Sequence, residues 1–307
     1  GCEGSRRRDG MDDRMRKLTL GLASALAGGL AVATALAEDI GVPRPGQTGF
    51  QPATTELARD LQTLDGILLT IITLIVLFVM GLLGYVIWKF RAEVNPKPAR
   101  FTHNALIEVL WTAVPVMILV AIAFPSLNLL YKQIEIPEAE VTIKATGNQW
   151  FWSYEYPDYE VYFDSLMVGA GYASYDRMME SEAGREEAEE YGITRDNFLL
   201  KTDTRVIVPV DTVVSVQMTS NDVIHAWTIP SFGVKMDAIP GRLNELWFEA
   251  EETGIYYGQC SELCGVAHAY MPIMVEVVTR EEFDQWIEAQ RVADGLPPQE
   301  MRLAAAE

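Results

Sequence analysis

Residues 67–88 read ILLTIITLIVLFVMGLLGYVIW and carry no charged side chain. At a helical rise of about 1.5 Å per residue this stretch matches the ~30 Å hydrocarbon core of a bilayer. A second apolar stretch occupies residues 109–130. Lipid offers backbone amides no hydrogen-bond partner, so two isolated segments of this kind must be helices that satisfy their own main chain. Lys89, Arg91, Lys97 and Arg100 lie between them, with Glu93 as the opposing acid. Positive charge of this kind is retained in the cytoplasm. The pair is therefore expected to form a hairpin with both outer ends, and everything after residue 135, on the opposite side. Trp88, Trp111 and Tyr131 fall where interfacial aromatics belong. Pro115 and Pro125 lie inside the second stretch, and neighbouring helices must satisfy the carbonyls they free.

The N-terminus agrees with that orientation. Arg14, Arg16 and Lys17 precede an Ala/Gly-rich apolar run over 18–36, and Ala35-Leu36-Ala37 is a small-x-small cleavage signature before Glu38. The pattern is that of a removable signal peptide. Residues 1–10, with Cys2 and three arginines, read as an upstream extension, Met11 or Met15 being natural starts. Residues 38–55, rich in Pro and Gly, read as an irregular lead-in.

The chain has a formal net charge of −19 beside a mean hydropathy of +0.08. The two coexist because apolar residues concentrate before about residue 131 and acids after it. A membrane anchor joined to an acidic outer domain is implied. Such a surface steers basic partners and argues against nucleic acid.

From Val141 onward, short β-branched or aromatic runs alternate with Gly, Pro, Asp and Asn: VTIKATGNQWFWSYEY, RVIVPV, TVVSVQMTS, AWTIPS, LWFEAE, GIYYGQC and MPIMVEVV. Regular spacing of this kind predicts an all-β Greek-key sandwich or barrel. Residues 165–200 read as an insertion, with one short acidic surface helix over MMESEAGREEAEEYGI. Residues 280–293 are amphipathic and predict a terminal helix. The expected organisation is an extension and signal peptide (1–37), a lead-in (38–60), the hairpin (61–134), the outer domain (135–280) and a C-terminal helix and tail (281–307).

The densest chemistry lies between Cys260 and Met271. The chain has three cysteines and three histidines. Cys260, Cys264 and His268 share this one loop, and His225 lies upstream beside strand-like sequence. Thiolate and thioether are soft ligands and imidazole suits copper, so the mixture points to copper rather than to calcium or magnesium. A blue-copper centre needs one thiolate, two histidines and an axial methionine. Two thiolates exceed that recipe and could bridge two coppers. A Cys260–Cys264 disulfide in an oxidising compartment and a structural zinc are the competing uses of the cysteines. Neither has a use for Met271 and His225 together. Gly258 and Gly265 supply backbone freedom around the loop.

These motifs resemble the binuclear copper centre, CuA, of cytochrome c oxidase subunit II. The likeness is carried by NQWFWSYEYP (148–157), VIHAWTIPSFGVKMDAIPGRLNE (223–245) and YYGQCSELCGVAHAYMPI (256–273). It extends over residues 55–290 and is greatest to alphaproteobacterial and mitochondrial members. The resemblance implies a two-helix transmembrane hairpin carrying a cupredoxin-like periplasmic domain on a bacterial inner membrane, with both termini periplasmic. It implies two copper ions held by His225, Cys260, Cys264, His268 and Met271, with the backbone carbonyl of Glu262 as a further ligand. The Glu262 side chain corresponds to a carboxylate at a magnesium or manganese site shared with subunit I.

Trp150 corresponds to the tryptophan through which electrons enter from cytochrome c. This chain has Phe151 where the family usually has tyrosine. Docking carboxylates map to Glu155, Asp164, Asp203 and Asp222. Glu108, in Glu108-x-x-Trp111-Thr112-x-x-Pro115, corresponds to the cytoplasmic mouth of a proton path into subunit I. Haem-bearing subunit I, subunit III and cytochrome c are the implied partners, together with the lipid bilayer. Oxygen chemistry is assigned to subunit I, since only His103 is left outside the copper set. A quinol-oxidase subunit would lack the copper ligands, and a membrane-tethered copper carrier would have no use for Trp150 or Glu108.

Overall fold

The computed structural model describes residues 41–97 and 99–297. The expected signal peptide, Cys2 and the tail beyond 297 lie outside the described residues. Helix α1 spans Glu56–Lys89 and helix α2 spans Ala105–Ile134. They run antiparallel, since Lys132 near the end of α2 bonds Glu56 (2.6 Å) and Asp60 (2.7 Å) in the first turns of α1. Over their apolar stretches both helices present Leu, Ile, Val and Phe outward; Phe78 is 65% and Phe124 74% exposed. An apolar belt of that extent is stable only in lipid or against other apolar helices. The chain is a membrane protein.

At 34 residues, α1 is about 51 Å long, roughly 20 Å more than a bilayer core requires. Its N-terminal turns are part of the outer domain instead. Thr55 caps the helix, accepting from Ala58 N at 3.0 Å, while its hydroxyl donates to Phe232 O at 2.8 Å. Leu57 and Ala58 are buried in the domain, and Ala58 lies close enough to Gly233 that a Cβ there would sit 2.6 Å from its Cα. Arg59 makes a two-pronged pair with Glu251 at 2.8 and 2.6 Å. Near the end of α2, Lys132 O accepts from Trp247 Nε1 at 3.1 Å.

The outer domain contains ten strands: β1 Val141–Asn148, β2 Phe151–Tyr156, β3 Val161–Ser165, β4 Val206–Pro209, β5 Val213–Ser220, β6 His225–Ile229, β7 Val234–Ala238, β8 Asn244–Glu249, β9 Gly254–Gln259 and β10 Pro272–Val278. They form sheets ordered β3-β2-β1-β5-β8, β4-β10-β9 and β6-β7. Side chains alternate along β1, with Val141, Ile143 and Ala145 buried. These pack with Tyr154, Val216, Trp227, Phe248, Tyr256 and Val275 in one core between the sheets. The result is the β-sandwich of the cupredoxin-like class.

Two pairings position the site. β1 runs parallel to β5, with Gly147 opposite Ser220, so the β1–β2 turn lies beside the loop leaving β5. β9 and β10 pair antiparallel, with Gln259 opposite Pro272, so residues 260–271 form one closed hairpin loop.

The insertion departs from the sequence expectation. It holds two helices, α3 Tyr175–Glu180 and α4 Glu182–Tyr191, not one. They close over a small core of Val168, Met178, Ala188 and Ile193 with Tyr175 and Phe198 alongside. Acidic composition hid these few apolar residues, whose partners lie up to 30 positions apart. The terminal helix α5, Arg280–Ala293, matches its amphipathic pattern, opening on a Thr279/Glu282 capping box and burying Phe283 and Ile287.

The junction between hairpin and domain predicts unequal costs. Leu57→Ala should destabilise the outer domain by about 2–4 kcal/mol, the usual cost of emptying a buried leucine site. Arg59→Ala removes an exposed ion pair and should cost about 1 kcal/mol or less. Thermal unfolding of both variants in the same detergent checks the order.

Candidate metal centre

Three connections meet at one end of the sandwich: the β1–β2 turn (149–150), the β5–β6 loop (221–224) and the β9–β10 loop (260–271). The last is closed at its base by Cys260 N donating to Met271 O at 3.2 Å, and Ser261 N ties it to Ala226 O on β6 at 3.0 Å. Gly265 makes its bend at φ +125°, a conformation that favours glycine. Gly258 has a different role from the flexibility expected of it. It allows β9 to approach β6, because a Cβ there would lie 1.8 Å from Thr228 O.

The loop closure brings the soft donors together. Cys260 and Cys264 are free thiols with their sulfurs 3.8 Å apart. His225 Nδ1 lies 3.8 Å from Cys260 Sγ, and His268 Nδ1 lies 3.4 Å from Cys264 Sγ. Met271 Sδ is 3.6 Å from Cys264 Sγ, and Glu262 O is 3.3 Å from Cys260 Sγ. His225, Cys260, Cys264 and Met271 are buried and His268 is half-buried. A bond of about 2.3 Å to each thiolate lets one ion touch both sulfurs when they lie within about 4.6 Å. The 3.8 Å separation meets that condition, with room on each side for a further donor. The residues fit a sulfur-bridged copper pair, and the donor set is softer than structural zinc requires.

The geometry also fixes which nitrogen of His225 faces the sulfurs. Nε2 lies 2.8 Å from Asp222 Oδ1. An ionised carboxylate only accepts, so Nε2 carries the proton and leaves the Nδ1 lone pair free for a metal. Trp152 meets the ring edge-on, with centroids 6.0 Å apart. Gly147 lies behind it, where a Cβ would clash with Cδ2 at 2.7 Å.

The thiols differ in acidity. Burial opposes ionisation of Cys260, but His225, the Glu262 and Ala226 backbone and His268 outweigh it and bring the thiol down to about 7. Burial and the neighbouring Cys260 charge push Cys264 up to about 12. Burial disfavours a charged His225 ring, yet Cys260 and Asp222 more than offset it and the net shift is upward.

The other residues singled out in the sequence separate into groups. Trp150 is half-buried beside the loop, and its Nε1 donates to Cys264 O at 3.2 Å. Gln149 Nε2 donates to the same carbonyl at 2.9 Å. Sequence reading missed Gln149; its place next to Trp150 in the turn was the available signal. The Glu262 side chain points outward and is exposed. Glu155 and Asp164 lie on the outer face of β2 and β3, where Glu155 pairs with Lys144 at 3.2 Å and Asp164 accepts from Ser153 Oγ at 2.6 Å. Asp203 is an exposed residue bonded to Leu166 N and Thr204 N. Asp222 is an exposed residue whose carboxylate meets His225 Nε2 at 2.8 Å and accepts from Gln149 N at 2.7 Å. Glu108 lies at the far end of the hairpin, where its side chain accepts from Asn104 N at 3.1 Å.

Copper binding requires both thiols to lose their protons. Cys260 gives up its proton more readily than an ordinary cysteine and Cys264 less readily. Falling pH returns protons that compete with the metal, so lower pH weakens binding. Copper titrations of the metal-free chain across pH 6–9 should show affinity falling as pH falls, and a flat profile would contradict it.

Family comparison agrees with this geometry. Residues 141–278 match the family described as cytochrome C oxidase subunit II, periplasmic domain, and residues 43–129 match its transmembrane domain. Cytochrome c oxidase subunit 2 of Cereibacter sphaeroides is 51% identical over 276 residues, covering 88% of this chain and 91% of that protein. The probable subunit 2 of Rickettsia bellii is 45% identical over 246 residues, covering 80% and 84% respectively. The crystal structure of the periplasmic domain of subunit II (CoxB) of Bradyrhizobium japonicum is 47% identical, covers 52% of this chain and 98% of that one, and superposes with a TM-score of 0.42. With both modules matched in order and 51% of 276 aligned residues shared with a relative of nearly equal extent, the chain belongs to the cytochrome c oxidase subunit II family.

Proposed function

We propose that this chain receives electrons from cytochrome c at a binuclear copper centre and passes them to the haem of subunit I, where oxygen is reduced with proton translocation. The observation that carries the reading is the clustering of soft donors about two sulfurs 3.8 Å apart: His225 Nδ1 at 3.8 Å and Glu262 O at 3.3 Å from Cys260 Sγ, and His268 Nδ1 at 3.4 Å and Met271 Sδ at 3.6 Å from Cys264 Sγ. His225, Cys260, Glu262 (through its carbonyl), Cys264, His268 and Met271 hold the copper pair. When bound, the pair supplies a one-electron relay whose charge is shared between two ions. The protein keeps the ligands in place in both oxidation states, because the loop is bonded at its base to β10 and along its side to β6.

Trp150 is the point where electrons enter, its indole N–H reaching the Cys264 carbonyl directly. Phe151 adds apolar surface beside it without a hydroxyl. Glu155, Asp164, Asp203 and Asp222 are the carboxylates that attract a basic cytochrome c. The exposed Glu262 side chain reaches a magnesium or manganese site completed by subunit I; carboxylate oxygen suits such hard ions. Glu108, at the opposite end of the hairpin, lies at the cytoplasmic mouth of a proton path. In this arrangement residues 1–37 carry the signal peptide, the hairpin spans a bacterial inner membrane with both termini periplasmic, and subunits I and III cover its apolar faces. The domain divisions given under the sequence analysis belong to the same reading.

Copper loading of the purified full-length chain tests the centre. The expected result is two coppers per chain and an electron spin signal split by two equivalent copper nuclei. One copper per chain, or the spectrum of an isolated ion, would sink the proposal. The docking face has its own test. A charge about 10 Å from its partner contributes about 0.4 kcal/mol in water, so Glu155→Gln should lower kcat/KM for cytochrome c about twofold at low salt. The difference should vanish at high salt, and the copper spectrum should not change.

A further inference from the structure

Two cations at the junction between hairpin and domain are paired with acids. Arg59 meets Glu251 at 2.6 Å, and Lys132 meets Glu56 at 2.6 Å and Asp60 at 2.7 Å. Arg44, in the lead-in before α1, makes no ion pair among the described residues. It is half-buried, and its Nε is shielded from water without a hydrogen-bond partner. A guanidinium partly withdrawn from water favours an anion beside it.

The surroundings of Arg44 form a built cleft. The chain turns at Gly46, whose φ is +72°. Gln47 holds the turn from both sides: its Oε1 accepts from Arg44 N at 3.0 Å, and its Nε2 donates to Phe50 O at 2.6 Å. Gln62 on α1 donates to Gln51 O at 2.8 Å, and Gln51 Oε1 accepts from Ser231 Oγ at 2.9 Å. These bonds tie the lead-in to the first membrane helix and to the turn after β6. Between them lies an open cleft of about 680 Å³ lined by Arg44, Gln47, Phe50, Gln51 and Gln62. Phe50 is 48% exposed.

Helix α1 sets the height of this cleft above the membrane. Gln62 lies five positions before Ile67, where the charge-free stretch begins, or about 7.5 Å of helical rise. The headgroup layer adds about 5–8 Å to each side of the hydrocarbon core. The cleft therefore opens at the depth of lipid phosphates, and its aromatic ring is of the kind favoured at that interface.

We propose that this cleft binds the headgroup of one phospholipid from the leaflet on the domain side. The Arg44 guanidinium takes the phosphate, whose oxygens match its forked donors, and Phe50 meets the glycerol and upper acyl region. A free phosphate offers Arg44 the same oxygens but nothing apolar for Phe50. A lipid seated here braces the lead-in against α1, the same two elements that Gln62 joins. The inference rests on α1 as a membrane helix and is independent of the copper centre, so copper loading and lipid retention succeed or fail separately.

Native mass spectrometry of the purified full-length chain in a maltoside detergent, titrated with phosphatidylglycerol, tests the site. The wild type should hold one phospholipid more tightly than any other, and Arg44→Gln should weaken that one about tenfold. Arg59→Gln, at the same junction, should leave it unchanged. Diacylglycerol, which lacks the phosphate, should not compete for the site, and millimolar inorganic phosphate should not displace the lipid. Equal retention by the wild type and Arg44→Gln, or competition by diacylglycerol, would overturn the proposal. Displacement by inorganic phosphate would also overturn it, in favour of a free anion.

A second measurement needs no variant. Phenylglyoxal modifies arginine side chains, and phosphatidylglycerol should slow its reaction at Arg44 in the wild-type chain while diacylglycerol should not. An unchanged rate would contradict the proposal. In the assembled oxidase stripped of lipid, Arg44 should react again; protection there would mean that another subunit covers the cleft, and would overturn it too.

Discussion

Two sulfurs held 3.8 Å apart in a buried pocket are poor neighbours once both are ionised, because each loses hydration and repels the other. The fold must impose their closeness. It does so with backbone: the β9–β10 register and the Cys260–Met271 amide bond fix both ends of a twelve-residue loop. The unequal acidities of Cys260 and Cys264 express the same conflict, one thiol ionising readily and the other resisting. A soft cation between them turns the repulsion into attraction, which is why the cluster makes chemical sense as a metal centre.

His225 and the aromatic turn meet that loop from outside. His225 opens β6 and reaches the sulfurs from a different strand, so its orientation is fixed by Asp222, Trp152 and the space left at Gly147. Trp150 and Gln149 converge on the Cys264 carbonyl from the β1–β2 turn. Cys264 is thus bonded through its backbone carbonyl to both residues of that turn.

Much of this was legible in the sequence because it is local. The spacing of Cys260, Cys264, His268 and Met271 lies within one loop, the hairpin is announced by two charge-free stretches, and α5 by its helical period. What was not legible depends on partners far apart in the chain. The reason for Gly258 lies on β6, about 30 residues earlier, where Thr228 O leaves no room for a side chain. The bonding of Asp222 to Gln149 follows from parallel pairing across 73 positions, and no local pattern specifies that. The insertion looked like one helix because its acids outnumber the few apolar residues that fold two helices together.

Strand β6 has a consequence for how the molecule works as a whole. His225 is at one end, and at the other the chain turns through Pro230–Phe232, where Thr55 docks the first membrane helix. The eight residues from His225 to Phe232 therefore run from the sulfur cluster to the membrane junction, along a strand paired with β7 and packed on β9. They act as a short stiff lever, not a tether. Electron tunnelling rates fall steeply with distance, and a site mounted this way keeps its bearing on whatever the hairpin is fixed to. The two-helix segment between β3 and β4 lies outside both the lever and its mounting.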